Sequence, residues 1–338
     1  MPATARPLAP TARAGWLLAA VVTVGLAMLL SLAVGSRSLA PDVVWRALFE
    51  GGSGPDVEVV REMRLPRTAL GLMVGAALGM AGAVMQGLTR NPIAEPGILG
   101  VSQGAAVAVV LAIAFAGATA LETFVWYAFA GATLAAVAVY AVSARGRGGA
   151  TPVKLALAGA AINALLVSVT TGVLTTRSST LDQFRFWNIG SLSGRDAGIA
   201  ERIWPFLLAG TLLVAAAARG LDALALGEDV ARGLGQNVAL VRILGGLGAA
   251  VLTGAGVAAA GPIAFVGLAV PHLARPLVGG GHRLLLPMAA LLGAAVLLIA
   301  DVVGRVLFPP SEVPAGVMTA LIGVPFLVAL VRRTAVRA

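Results

Sequence analysis

The chain has no cysteine, which excludes a disulfide framework, a thiol nucleophile and a cysteine-ligated metal. Charge is also scarce. Only 12% of the 338 residues are Asp, Glu, Lys or Arg, against 59% hydrophobic. No soluble domain of this length hides that much apolar surface, so lipid must solvate much of the chain. The single lysine, Lys154, is followed by leucine. A G-x-x-x-x-G-K-[ST] phosphate loop needs its lysine at the phosphates. The chain therefore carries no nucleotide-hydrolysing motif, and any ATP that powers it is hydrolysed by another polypeptide. The two histidines, His272 and His282, have no carboxylate cluster beside them in sequence and read as polar helix-end residues rather than metal ligands. No apolar stretch has an ionisable residue near its middle. Lys154, Arg242, His272, Arg275, Asp301 and Arg305 all fall toward stretch ends. Ion-coupled carriers keep such groups deep in the bilayer despite their cost, so a stand-alone secondary carrier is a disfavoured alternative.

What is present fits a multi-pass membrane protein. The net charge of +9 does not mark a nucleic-acid binder, because the arginines sit in short breaks between apolar runs and not along one amphipathic face. Arg6 and Arg13 precede the run Trp16 to Val34, and Ala33-Val34-Gly35 resembles a cleavage site. The run has about the ~20 residues needed to cross a bilayer and more such runs follow, so it reads as an uncleaved first helix. The expectation is an all-α protein with ten spans at 16–34, 68–88, 98–116, 123–142, 153–174, 203–219, 240–260, 262–278, 284–304 and 313–331. The eighth is short and interrupted by Pro271, His272 and Arg275, so nine spans is the alternative. Ten place both termini in the cytoplasm, where Arg332, Arg333 and Arg337 join Arg6 and Arg13 with a modest positive-inside bias.

A pair of words divides the chain. Asn91-Pro92-Ile93-Ala94-Glu95-Pro96-Gly97-Ile98 recurs in part as Gly261-Pro262-Ile263-Ala264-Phe265-Val266-Gly267-Leu268. Internal echoes of this kind mark membrane proteins built from two related halves. With five spans between copies the second half is inverted. Residues 1–338 then form one transmembrane domain with repeat halves at 68–174 and 240–331, pairing the second to fifth spans with the seventh to tenth. Gly71, Gly75 and Gly79 in the second span, and Gly246, Ala250, Gly254 and Ala258 in the seventh, recur every four residues. That spacing lets two backbones approach, which makes those helices central.

Several loops carry candidate chemistry. Arg61-Glu62-Met63-Arg64-Leu65-Pro66-Arg67 puts cations on the outer side, against the orientation bias. Asp301 and Arg305, four apart on one helix, form either a local ion pair or a docking point. Residues 183–194, with Phe184, Phe186 and Trp187 among polar groups, suit an interfacial helix or the mouth of a pathway. On the inner side, Gly227-Glu228-Asp229 starts a short helix with acids at its positive end, which Gly235 stops. Leu224, Leu226, Val230 and Leu234 supply apolar contacts for something to pack on.

In order along the chain, Arg64-Leu65-Pro66-Arg67, Gly82-Ala83-Val84-Met85-Gln86, Asn91 to Gly97, Ala225-Leu226-Gly227-Glu228, Gly261 to Leu268 and Pro271-His272 resemble the FecCD family of ABC-importer permeases, which carry ferric siderophores, haem and cobalamin. The resemblance runs from about residue 15 to 333. It implies ten helices in the bacterial plasma (inner) membrane and a second permease subunit, identical or paralogous, around a central pathway. It further implies two ATP-binding subunits below, which hold ATP and magnesium, and an extracytoplasmic substrate-binding protein above. This chain is then no enzyme, binds no cofactor or metal itself, and meets lipid but no nucleic acid. By the same resemblance Arg64, Arg67 and Arg305 meet acids on the binding protein. Leu226, Gly227, Glu228, Ala231, Arg232, Leu234 and Gly235 belong to a helix that couples to the ATPase. Residues 153–174, with Asn163, and 313–331 line the pathway, with Phe184 and Trp187 near its mouth. Cobalamin-importing relatives have Thr-Ser in the inner gate; here Pro152 and Val153 stand in its place after Thr151, so the gate's chemistry does not carry over. The 184–194 stretch is similar to the ferric-siderophore branch, with haem or cobalamin as the alternative cargo.

Overall fold

In the computed structural model, which describes residues 9–35, 38–51, 53–118, 120–145 and 151–335, every expected apolar stretch contains a helix. The elements are α1 (Pro10–Ala33), α2 (Pro41–Trp45), α3 (Pro55–Glu58), α4 (Leu65–Thr89), α5 (Val101–Ala116), α6 (Leu121–Ala144), α7 (Pro152–Thr176), α8 (Ser178–Asn188), α9 (Ala197–Ala225), α10 (Glu228–Gly233), α11 (Val238–Ala260), α12 (Val266–Val278), α13 (His282–Leu307) and α14 (Ala315–Ala335). Seven helices, within 11–33, 55–89, 122–144, 152–176, 197–225, 238–260 and 282–307, are long and apolar enough to cross a membrane. Three apolar helices are shorter: α5, α12 and the 315–329 part of α14. Arg6, Arg147 and Arg337 of the expected inner basic set lie outside the described residues.

Helix ends sort onto two faces. On one, Arg305 near the end of α13 reaches Ser31 near the end of α1, Arg202 of α9 pairs with Glu122 of α6, and Gly316 of α14 donates to Gly190 O. On the other, His282 at the start of α13 meets Asp222 near the end of α9, Lys154 of α7 donates to Arg145 O after α6, and α10 packs under α9 and α11. The first is the outer face of the sequence reading and the second is the α10 face.

The glycine stripe of α4 makes its closest approach to α13, with α11 packed alongside. A Cβ on Gly75 would overlap Gly293 O and press on Ala294 Cα at 2.8 Å; one on Gly79 would overlap Ala289 O. Both obstacles are backbone, so a side chain there separates the helices. Gly75→Val should cost about 1–3 kcal/mol by overpacking, read as a lower thermal-unfolding midpoint in detergent. An unchanged midpoint would refute this close packing. The α11 stripe is looser: Gly254 faces Ala132 of α6 at 3.4 Å, and nothing approaches Gly246 within 4 Å.

Candidate functional site

Both echoed words are breaks between helices. The first joins α4 to α5 through a single 3₁₀ turn at Pro96–Leu99. The second joins α11 to α12 through non-helical backbone in which Gly261 (φ 76°) and Phe265 (φ 68°) adopt left-handed conformations. Asn91, Pro92 and Ile93 are exposed, but the second half of the first word and most of the second pack inside the bundle. Gly159 of α7 abuts the Ile98 carbonyl, and Asn163 Nδ2 donates to Gly97 O at 3.2 Å. At 1.5 Å per residue, those α7 positions are roughly 10–16 Å from its start. Gly82 abuts the Gly267 carbonyl about 10 Å before the end of α4. The words therefore re-enter the helix bundle, which is why α5 and α12 are short. The eighth helix begins at Val266, four residues later than the sequence suggests.

A cavity of about 620 Å³ lies between the words. Glu95 and Phe265, which hold equivalent positions in the two copies, both line it, as do Asn163 and Thr253. Asn163 Oδ1 and Thr253 Oγ1 are buried without a hydrogen-bond partner in the described structure. Irregular backbone at membrane depth is tolerated where it lines a cavity. The sequence alone puts Glu95 in an inner loop; the fold instead sets it in the wall of this deep cavity.

The cavity continues onto α7, the least buried of the long apolar helices. Val153, Leu157, Ala160, Ala164, Ser168, Thr171 and Thr175 are all exposed and fall on one side of this helix. Ser168, Thr171 and Thr175 make this side partly polar, with Ser168 and Thr175 donating to Ala164 O and Thr171 O of their own helix. At its α10-face end, Thr151 caps α7 by accepting from Lys154 N at 3.4 Å, Pro152 occupies the first turn, and Val153 is 68% exposed.

On the α10 face, the expected short helix forms as Glu228–Gly233, entered through Gly227 at φ 110° and left through Gly235 at φ 79°. Its acid is a strut: Glu228 accepts from Arg232 at 2.6 Å and from Arg242 of α11 at 2.7 Å. Ala231 is fully buried against the bundle, while Leu226, Val230 and Leu234 are exposed. Leu224, expected among the contact residues, is buried in the core instead.

The outer arginines are not a surface patch. Asp301, 0% exposed, accepts from Arg67 at 2.9–3.2 Å and from Arg305 at 2.6–3.0 Å. Arg67 also pairs with Glu312 at 2.7 Å. Arg305 reaches Ser31 O, Ser31 Oγ and Val34 O as well, and Ser31 Oγ meets Thr68 Oγ1 at 2.7 Å. Arg305 is 2% exposed, which corrects its reading as a docking contact in this conformation: its guanidinium is occupied in binding α1 to α13. Arg64 donates to Leu32 O at 2.8 Å. Arg64 and Arg67, both buried, share a cavity of about 210 Å³ with Asp56 and Glu312.

The aromatic segment also differs from expectation. Phe184 and Trp187 are buried, with ring centroids 5.9 Å apart, and anchor α8 on the bundle, so they line no pathway mouth. The residues after them run inward: Ser191 N donates to Ala260 O at 2.7 Å. Arg195, which the sequence reading passed over, is 6% exposed and donates to Ser191 O at 3.3 Å; burial pushes its guanidinium down to about 10. His282 likewise has a carboxylate that sequence distance concealed. Asp222 Oδ1 accepts from His282 Nδ1 at 2.7 Å and from its backbone N–H at 2.8 Å.

Comparison with known proteins places this architecture. The model of the FecCD transport family matches residues 22–333. The chain is 44% identical over 309 residues to the ferric enterobactin transport system permease protein FepD of Escherichia coli (strain K12), covering 91% of this chain and 92% of that one. It is 40% identical to the iron(3+)-hydroxamate import system permease protein FhuB of Bacillus subtilis (strain 168), covering 94% and 83%. It is 42% identical to the cobalamin import system permease protein BtuC of Halobacterium salinarum, covering 83% and 75%. Among solved structures, an inward-facing metal-chelate-type ABC transporter is similar with a TM-score of 0.80 at 30% identity, covering 94% of this chain and 98% of that one.

Proposed function

The chain belongs to the FecCD transport family, and from that premise we propose that it moves a ferric siderophore through the cavity between its two broken helices and along the exposed side of α7. It is a permease subunit of an ATP-binding-cassette importer and a multi-pass inner-membrane protein. The observation that carries the pathway is the continuity between a deep cavity with unpaired polar groups and the partly polar, uncovered side of α7. A second permease subunit, identical or paralogous, closes that side. Val153 at its inner end stands at the gate beside Thr151 and Pro152. Ten spans, an inverted repeat of 68–174 and 240–331 and cytoplasmic termini follow from this reading, with α5 and α12 as the second spans of the two halves. Two ATPase subunits, which bind ATP and magnesium, take the α10 face, and a substrate-binding protein takes the outer face. There an acidic partner group reaches Arg64 and Arg67 through the opening they share with Glu312.

Relatives named for ferric enterobactin and iron(3+)-hydroxamate support the cargo class. The relative named for cobalamin marks the second reading. Radioactive iron supplied as siderophore complexes should enter cells only when the chain is present. In the complete complex, Asn163→Leu should lower uptake several-fold while the complex still assembles, since it makes the cavity wall apolar. Uptake of siderophore iron unaffected by deletion, with loss of cobalamin or haem uptake, would overturn the cargo assignment. Undiminished transport in Asn163→Leu would overturn the route.

A further inference from the structure

A further cavity, of about 240 Å³, opens between α6 and α11 on the other side of α7. Its walls include Val137 and Ala141 of α6, Leu155 of α7, and Ile243, Leu247 and Val251 of α11. Val137, Ile243 and Leu247 are 43–56% exposed, so the crevice opens outward from the bundle. From Arg242 to Val251 it follows α11 for about 13 Å. Its chemistry is graded along that length. The upper walls are apolar, and the α10-face end is closed by Arg242, which itself lines the cavity and pairs with Glu228. Two more cations stand at this end. Lys154 immediately precedes Leu155 and donates from Nζ to Arg145 O, and Arg145 lies one turn beyond Ala141.

We propose that this crevice binds an anionic phospholipid of the leaflet on the α10 face, with an acyl chain between α6 and α11 and its phosphate at Arg242, Lys154 and Arg145. The charge arrangement suits that occupant: an apolar slot at membrane depth ends in cations where headgroups lie. The orientation of α7 separates this surface from the one a second permease covers. Leu155 lies about 140–160° around the helix from Ser168, Thr171 and Thr175. Ser168 and Thr175 donate to Ala164 O and Thr171 O of their own helix, and Thr133 in the crevice wall donates to Phe129 O, so the two surfaces are told apart by their direction and by the cations at the end of the crevice. Because Arg242 also holds Glu228, the bound headgroup shares a cation with the strut that fixes α10.

The test uses the complete permease–ATPase complex in bilayers of equal parts phosphatidylcholine and phosphatidylglycerol. One lipid or the other carries a photoactivatable diazirine on its acyl chain, and adducts are mapped by mass spectrometry. The phosphatidylglycerol probe should label Val137, Ala141, Ile243 and Leu247 several-fold more than the phosphatidylcholine probe. On the exposed face of α1, at Leu18, Val22 and Leu29, the two should label equally. Arg242→Gln should remove the preference. Gly246→Phe, placed where nothing lies within 4 Å, should fill the slot and suppress labelling by both probes without changing that of α1. Equal labelling by the two lipids in the wild type would overturn the proposal. So would crevice labelling no different from α1, undiminished crevice labelling in Gly246→Phe, or cross-links from Leu247 to a second permease copy in place of lipid.

Discussion

Replacing Leu234 with aspartate should abolish ATP-driven uptake while leaving the permease folded and in the membrane. Leu226, Val230 and Leu234 are 65%, 49% and 61% exposed on and beside a six-residue helix that is too short to hold its own shape in water. The shape comes from below: Ala231 packs on the bundle, and Glu228 ties Arg232 to Arg242. On the proposed reading, an apolar side held this rigidly on the α10 face docks the ATPase subunit. Burying each such side chain is worth about 1.5–3 kcal/mol. A carboxylate forced into the same apolar contact removes that gain and adds a desolvation cost. Losing only ~1.4 kcal/mol weakens the contact tenfold, so uptake should fall by at least about that factor. ATP hydrolysis should no longer respond to the binding protein. Glu228→Ala should give a milder version, because it frees the helix without altering its contact surface. Copurification of the ATPase with wild-type yield, together with normal uptake in Leu234→Asp, would refute the docking role.

The sequence was informative wherever local chemistry decides the structure. Long apolar runs placed the helices, glycines on either side of Glu228 to Leu234 bounded α10, and the repeated Pro-Ile-Ala word marked two breaks between helices. It was misleading wherever a residue's partner is distant. Asp222 and His282 are 60 positions apart and are joined by a hydrogen bond of 2.7 Å. Glu95 looks like a loop acid until Ile98 and Gly97 are seen packed against the middle of α7. Phe184 and Trp187 have the composition of a pathway mouth, but burial of their rings is worth more against the bundle than at an aqueous opening. The reading of Arg305 as a surface contact fails for the same reason. Spacing shows that Arg305 can meet Asp301 on one helix. It cannot show that Arg67, from 234 positions away, completes the pair.

That shared carboxylate makes Asp301→Ala the substitution with the largest expected structural effect. Asp301 lies between two guanidiniums, and removing it leaves Arg67 and Arg305 as like charges facing each other at a buried site. Breaking a buried ion pair from one side costs about 3–5 kcal/mol; here two cations lose their partner together. Glu312 still neutralises Arg67 in part, but Arg305 keeps only Ser31 and Val34. The variant should fail to accumulate or should unfold at a much lower temperature in detergent. Arg305→Met should be far milder, because Asp301 remains paired with Arg67 and a long apolar side chain keeps the packing. This pair of variants also separates internal strut from docking contact. A rim charge sets the association rate with a partner and weakens as salt rises. A buried strut does neither. Binding-protein association should therefore be nearly unchanged in Arg305→Met and should slow in Arg64→Gln, whose guanidinium lines the outer opening. If Arg305→Met slowed association as much as Arg64→Gln while its unfolding temperature stayed at the wild-type value, Arg305 would be a docking residue that becomes exposed in the complex, and the strut assignment would fall.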